Sequence, residues 1–207
     1  MPSDNRQSHW EGVYTKKGES EVSWFQENPV CSLDLIAQVG ATRTSAIIDI
    51  GGGASRLVDN LIDRGFEDLT VLDLSDAALQ AAKVRLADRA SRVNWIVADA
   101  TVWEPRKEYD VWHDRAAFHF LTEEHDRSAY IARLGRALKV GGYAIIATFA
   151  LDGPERCSGL QIVRYDPASL GKTLGPAFEL VDSRRQSHAT PWGTEQSFQF
   201  SVFKHRS

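Results

Sequence analysis

Cysteine is scarce: Cys31 and Cys157 are the only two among 207 residues, too few for a disulfide framework or a four-thiolate zinc site. No apolar run approaches the roughly 20 residues that span a bilayer. The polar start, Met1-Pro2-Ser3-Asp4-Asn5-Arg6-Gln7, lacks the apolar core of a signal peptide. Basic excess is missing too. The 24 Lys and Arg stand against 28 Asp and Glu, a net charge of -4, and no stretch concentrates the cations. That balance disfavours a nucleic-acid-binding face. Internal repeats, low-complexity tracts and linkers are absent as well. What is present is 43% apolar composition, enough for a full core at this length. These features predict a cytoplasmic single domain, monomeric or weakly dimeric, with no membrane or nucleic-acid partner.

Short β-like runs alternate with helical stretches from residue 46 onward. Ala46-Ile47-Ile48-Asp49-Ile50 is a β-branched run that stops at Gly51-Gly52-Gly53. Leu57, Val58, Leu61 and Ile62 then share a helical face within 55–64, and Gly65 ends that helix. Leu69-Thr70-Val71-Leu72 is the second strand, Ser75 the N-cap of an Ala-rich helix marked by Leu79, Ala82 and Leu86. Val93–Val97 and Asp110-Val111-Trp112 are the third and fourth strands. Ile131, Leu134 and Leu138 stripe a further helix, broken by Gly141-Gly142, before a fifth strand over Tyr143–Phe149. Near the end, 178–181 and 199–203 are strands joined through the turn Thr190-Pro191-Trp192-Gly193-Thr194. The pattern predicts an α/β, Rossmann-like doubly wound sheet with helices on both faces and a C-terminal hairpin. It divides into an N-terminal aromatic, helical cap (1–45), a ligand-binding core (46–150), and a loop with the hairpin (151–207).

In open α/β sheets the ligand lies over the carboxyl ends of the strands. Gly51-Gly52-Gly53 occupies the first strand-to-helix turn, where side chains would hold a ligand off the backbone. Arg56 stands where the dinucleotide fingerprint wants Gly or Ala. Asp73, about twenty residues on, suits two ribose hydroxyls, because a carboxylate only accepts hydrogen bonds. Asp99, past the third strand, suits an adenine amine.

Together, Asp49-Ile50-Gly51-Gly52-Gly53, Val71-Leu72-Asp73-Leu74-Ser75, Val97-Ala98-Asp99-Ala100, Tyr109-Asp110-Val111-Trp112 and Leu138-Lys139-Val140-Gly141-Gly142-Tyr143 resemble the class I S-adenosylmethionine-dependent methyltransferases in order and spacing. Val140 departs from the Pro many members carry there, which affects only a turn. The resemblance implies a seven-stranded sheet, mostly parallel with a reversed C-terminal strand. It implies S-adenosylmethionine as cofactor, with Gly51 and Gly53 under its methionine part, Asp49 orienting it, Asp73 and Leu74 at the ribose, and Asp99 and Ala100 at the adenine. The methyl group would then point to the end of the fourth strand.

That strand end delivers Trp112-His113-Asp114-Arg115-Ala116-Ala117-Phe118-His119. His113 or His119 could serve as a base near neutral pH. Asp114 and Arg115 could act on the acceptor or form an ion pair that fixes the loop. His119, between Phe118 and Phe120, is equally readable as a core histidine. A metal site from His113, His119, His125 and Asp126 is disfavoured by spacing. The segment is also loosely similar to thiopurine and chalcogen methyltransferases, whose Trp-Asp-Arg is interrupted here by His113. Those relatives carry an N-terminal aromatic lid, matched by Trp10, Tyr14, Trp24 and Phe25, with Trp24 suited to face a sulfonium. Arg156 and Arg164, in or beside the loop after the fifth strand, are candidates for an anionic substrate group, and Cys157 for a thiol of lowered pKa. The expected activity is methyl transfer to a small molecule, with sulfur or a heavier chalcogen as the candidate acceptor atom. The alternatives are a protein-lysine methyltransferase and a non-catalytic cofactor-binding module.

Overall fold

Every residue of β1 (Ala46–Ile50) is buried, as befits a β-branched run covered on both faces. Its neighbours β2 (Asp68–Asp73) and β4 (Tyr109–Arg115) run parallel to it. Outside them lie β3 (Val93–Val97) and β5 (Leu138–Phe149), also parallel. β8 (Phe178–Ala189) and β9 (Glu195–His205) form an antiparallel hairpin, and β9 runs antiparallel to β5. The order β3-β2-β1-β4-β5-β9-β8 gives seven strands with β9 alone reversed. This computed structural model describes residues 3–206.

One face of the sheet carries α2 (Val30–Gln38), α3 (Leu57–Asp63) and α4 (Asp76–Leu86), packed on Ile47, Val71, Val111 and Ile145. The other carries α5 (Glu124–Ala137) and α6 (Pro167–Leu174), packed on Ile48, Leu72, Trp112 and Ile146. The alternation Ile47/Ile48, Val71/Leu72 and Ile145/Ile146 is the strand period of two sending successive side chains to opposite cores. Fully burying each of these is worth about 1.5–3 kcal/mol. Gly65 adopts φ +83 just past α3, and the Ser75 hydroxyl accepts the Ala78 N–H as the N-cap of α4. No described helix is long and apolar enough to cross a membrane.

Two readings change. Gly141-Gly142 does not end the helix: α5 stops at Ala137, and the pair lies inside β5, where the register slips between Tyr109 and Val111. A Cβ on Gly142 would meet the Asp110 carbonyl oxygen at 2.9 Å, so glycine is there for close strand approach. The two C-terminal strands are also far longer than their apolar runs, because β8 is an edge strand whose outer positions are polar and exposed.

The N-terminal cap is mainly α1 (Ser3–Lys16), a helix with few apolar side chains. It is docked by polar anchors at two points. Arg6, itself buried, donates from Nη1 to Asp126 at 2.6 Å and from Nη2 to Asp99 at 2.9 Å. Glu11 accepts the Ser75 hydroxyl at 2.7 Å and the Ala77 N–H at 3.3 Å, adding a negative charge at the N-terminus of α4. Between these anchors, Trp10 packs edge-on to Phe120 and Trp24. Removing one partner of a buried pair costs about 3–5 kcal/mol. Arg6→Ala is therefore expected to raise amide exchange over residues 6–16 at least tenfold while β1 and β4 stay protected, measured by hydrogen exchange.

Candidate active site

The turn after β1 is pinned to β2 by the Gly51 N–H, which donates to the Leu72 carbonyl at 2.8 Å. Gly51 and Gly53 have φ of +64 and +44, where L side chains are strained. A Cβ on Gly51 would lie 2.7 Å from the Ala117 Cβ, and one on Gly53 would lie 2.9 Å from Asp73 Oδ2 and 3.3 Å from Tyr14 Oη. The turn is thus a bare backbone cradle between the ends of β2 and β4 and the cap.

Four carboxylates are buried at this edge of the sheet, and each is satisfied differently. Asp49 Oδ1 lies 2.7 Å from His113 Nδ1, and His113 Nε2 lies 2.9 Å from the Ser32 hydroxyl. Asp73 accepts the Ser75 N–H at 2.8 Å. Burial pushes its carboxyl up to about 7, opposed by the Ser75 N–H and reinforced by Asp49. Asp99 takes Arg6 on one oxygen, and the Thr101 N–H and hydroxyl on the other at 2.8 and 2.7 Å. Asp114 accepts the Ala117 and Phe118 N–H groups and the Tyr130 hydroxyl, the last at 2.6 Å. Burial still raises it to about 6. These bonds staple the turn after β4, where Ala116 holds a left-handed φ of +71.

Two cavities open over this edge. The larger spans about 820 Å³, counting space open to solvent. Asp73, Leu74, Asp99 and Ala100 line one side of it, and Trp10, Tyr14, Trp24 and Phe120 another. Asp49, Ser32, His113, Arg56 and Phe25 line the smaller. Gly51, Tyr14, Trp24 and Arg115 belong to both. Trp24 Nε1 donates to Tyr14 Oη at 3.2 Å, so the two lid aromatics brace each other.

The side chains proposed for proton transfer sit differently from expectation. His113 has both ring nitrogens engaged: Nδ1 donates to Asp49, and Nε2 meets the Ser32 hydroxyl. Neither is open to a substrate proton, so His113 positions Asp49. His119 is fully buried and lines neither cavity; its ring lies against Phe120 and Phe149. Burial, then the Arg115 charge, pulls it down to about 3, leaving a neutral core histidine. Asp114 bonds the backbone and Tyr130 rather than Arg115, so the expected ion pair is not formed. Arg115 instead donates to the Trp24 carbonyl at 2.8 Å.

Of the loop candidates, Arg156 is exposed and donates to the Gly159 carbonyl, while Arg164 bonds the Gly153 carbonyl and Glu155. Neither lines a cavity, and Arg164 does not pair with Asp166. Cys157 does line the larger cavity, but burial pushes its thiol up to about 12, against a reactive thiolate. It starts a two-residue hairpin, β6 (Arg156–Cys157) with β7 (Leu160–Gln161). Arg6, Ser32 and Tyr130 went unread because their partners lie far off in sequence, and Thr101, which bonds Asp99 two positions back, because it reads as an ordinary loop threonine.

The residues fit S-adenosylmethionine. The bare glycine turn leaves room for the methionine part beside Asp49. Asp73, poorly satisfied for a buried carboxylate, is poised for two hydroxyl donors. The cavity beyond it is largely apolar, with Leu72, Leu74 and Ala100 available to an adenine ring. Asp99 already holds Arg6 and Thr101, so its acceptor capacity for an amine is reduced.

Because Asp73 titrates higher folded than unfolded, the folded chain keeps that proton after the unfolded chain has lost it. Stability should therefore fall as pH rises from about 4 through about 7. Asp73→Asn is expected to flatten that fall in melting temperature between pH 5 and 8. In the unaltered protein, S-adenosylhomocysteine should bind more tightly at pH 8 than at pH 6 by calorimetry, since ribose hydroxyls need the ionised acceptor. His113→Ala should weaken S-adenosylhomocysteine about tenfold, the loss of a charge-assisted bond of about 1.5–3 kcal/mol acting through Asp49, and leave the pH profile of turnover unchanged.

Residues 47–142 match the family model described as a methyltransferase domain. The chain is 25% identical over 149 residues to the eEF1A lysine and N-terminal methyltransferase of Bos taurus, covering 69% of this chain and 21% of that protein. It is 31% identical over 126 residues to the trans-aconitate 2-methyltransferase of Rhizobium rhizogenes, covering 60% of this chain and 46% of the relative. The chain therefore spans between a fifth and a half of the length of these curated relatives. The crystal structure of Burkholderia thailandensis 1,6-didemethyltoxoflavin-N1-methyltransferase, with its ligand and S-adenosylhomocysteine bound, superposes with a TM-score of 0.73 at 21% identity, over 99% of this chain and 87% of that one. Sheet order, glycine turn and sequence match agree: residues 47–142 are similar to a methyltransferase domain, and the fold is that of the class I S-adenosylmethionine-dependent methyltransferases.

Proposed function

We propose that the protein transfers a methyl group from S-adenosylmethionine to a small molecule whose attacking atom arrives already deprotonated, a thiolate or a heavier chalcogen anion. When bound, the cofactor supplies a methyl carbon on a sulfonium, open to in-line displacement. The chain's part is to hold and align. Asp73 and the glycine turn fix the adenosyl and methionine ends, Asp49 is oriented by His113 and Ser32, and Trp24 offers an aromatic face to positive charge. Alignment of this kind can supply as much as about 7–11 kcal/mol of the barrier.

The observation that carries the reading is that, among the described residues, none of the three groups at the end of β4 that could act as a base is open to an acceptor. Both nitrogens of His113 are engaged, His119 is outside the cavities, and Asp114 is bonded to two backbone N–H groups and a phenol. A base adds about 10²–10⁴-fold only where the nucleophile must lose a proton in the transition state, so a site without one suits an acceptor that ionises near neutral pH. A small acceptor is supported by the aromatic cap across the cavity, and by a relative named for trans-aconitate. The relative named for lysine and N-terminal methylation represents the protein-acceptor alternative.

Radiolabelled donor tests this with benzenethiol and aniline as matched acceptors. Label should enter the thiol, at a rate rising with its thiolate fraction, and aniline should remain unlabelled. Label recovered in protein from a cell extract would favour the protein-acceptor reading. Tight S-adenosylhomocysteine binding with no turnover on any acceptor would favour a non-catalytic module. Asp73→Ala is expected to weaken donor binding at least tenfold.

A further inference from the structure

Arg115 closes β4, and its guanidinium is held on two sides. Nη1 donates to the Trp24 carbonyl at 2.8 Å, and Cζ lies 4.7 Å from the centre of the Phe198 ring. Its Nε and Nη2 are buried and have no hydrogen-bond partner. Among the described residues no carboxylate lies within ion-pair distance of it. The other arginines of this region behave differently. Arg6 holds Asp99 and Asp126, Arg85 holds Asp59 and Glu19, and Arg56 holds Glu19; Arg6 and Arg56 leave only Nε open. Arg115 is thus a cation with its bidentate edge unused, and it lines both cavities. Burial brings it down to about 10, still cationic at neutral pH.

An unpaired buried donor is expensive, and a guanidinium edge is shaped to give two parallel bonds to one carboxylate. We propose that the Nε–Nη2 edge of Arg115 receives a carboxylate carried by the methyl acceptor. The proposal rests on the methyl-transfer reading above and specifies its substrate class as a small aromatic or apolar acid. The donor's own amino-acid carboxylate is the other possible source. The acceptor is favoured because Arg115 faces the larger cavity together with Trp10, Phe120 and Cys157, a wall with no other free cation among the described residues, since Arg6 is held by two carboxylates. The guanidinium between Trp24 and Phe198 would then orient the acid, leaving its nucleophile toward the cofactor.

Calorimetry on the full chain tests this with benzoate and its neutral counterpart benzamide, each titrated into protein saturated with S-adenosylhomocysteine. Benzoate should bind at least tenfold more tightly than benzamide. Arg115→Gln should lose at least tenfold in benzoate affinity, and less than that in affinity for S-adenosylhomocysteine. Arg115→Lys, which keeps the charge but not the two-donor edge, should lose about fivefold, and it provides the comparison if the glutamine variant does not fold. Equal benzoate affinity in wild type and variants overturns the proposal, and so does a loss confined to S-adenosylhomocysteine, which would assign the edge to the donor's carboxylate. Wild-type protein that binds S-adenosylhomocysteine but not benzoate overturns this proposal alone. Failure to bind S-adenosylhomocysteine removes the methyl-transfer reading and this inference with it.

Discussion

Desolvated carboxylates along one edge of the sheet constrain everything built around them. Four parallel strands end together, and Asp49, Asp73, Asp99 and Asp114 are buried at or just past their ends. An isolated ionised carboxylate in such surroundings is costly, so each has recruited what was within reach. Asp114 takes backbone N–H groups and a phenol, Asp99 takes an arginine from the cap, and Asp49 takes an imidazole. Asp73 is left with little beyond backbone N–H groups and is displaced furthest from ordinary carboxylate behaviour. The group served worst by the protein is the one positioned for hydroxyls from outside. Arg115, lining the same cavity, is its cationic counterpart, a charge with no carboxylate in ion-pair distance among the described residues.

Strands β1, β2 and β5 were legible because buried parallel strands need continuous β-branched or apolar runs, edge strand β3 because Val93, Trp95, Ile96 and Val97 favour strand, and Gly51 and Gly53 because the turn tolerates nothing larger. β4 read three residues long and is seven. Its final residues, His113, Asp114 and Arg115, look like loop in sequence. They belong to the strand because their backbones pair with β1 and β5, while Ser32, Tyr130 and the Trp24 carbonyl, 81, 16 and 91 positions away, bond their side chains. The same remoteness hid their roles. A histidine near a cofactor edge reads as a base until both nitrogens are seen to be occupied, and one between two phenylalanines gives no sign of which face it presents. The cap was legible only as a cluster of aromatics, since Arg6 and Glu11 sit in a polar stretch indistinguishable from a solvated one.

Those cap contacts also determine when the pocket can be completed. Arg6 is made before both of its carboxylate partners, which follow 93 and 120 positions later, and the Ser75 hydroxyl that Glu11 receives follows it by 64. With so little apolar surface of its own, α1 has only its Glu11 anchor on α4 until Asp99 and α5 exist. Helix α1 is therefore fully seated only after α5 is made, and a nascent chain released before Asp126 would carry a cofactor cradle with an incompletely anchored roof.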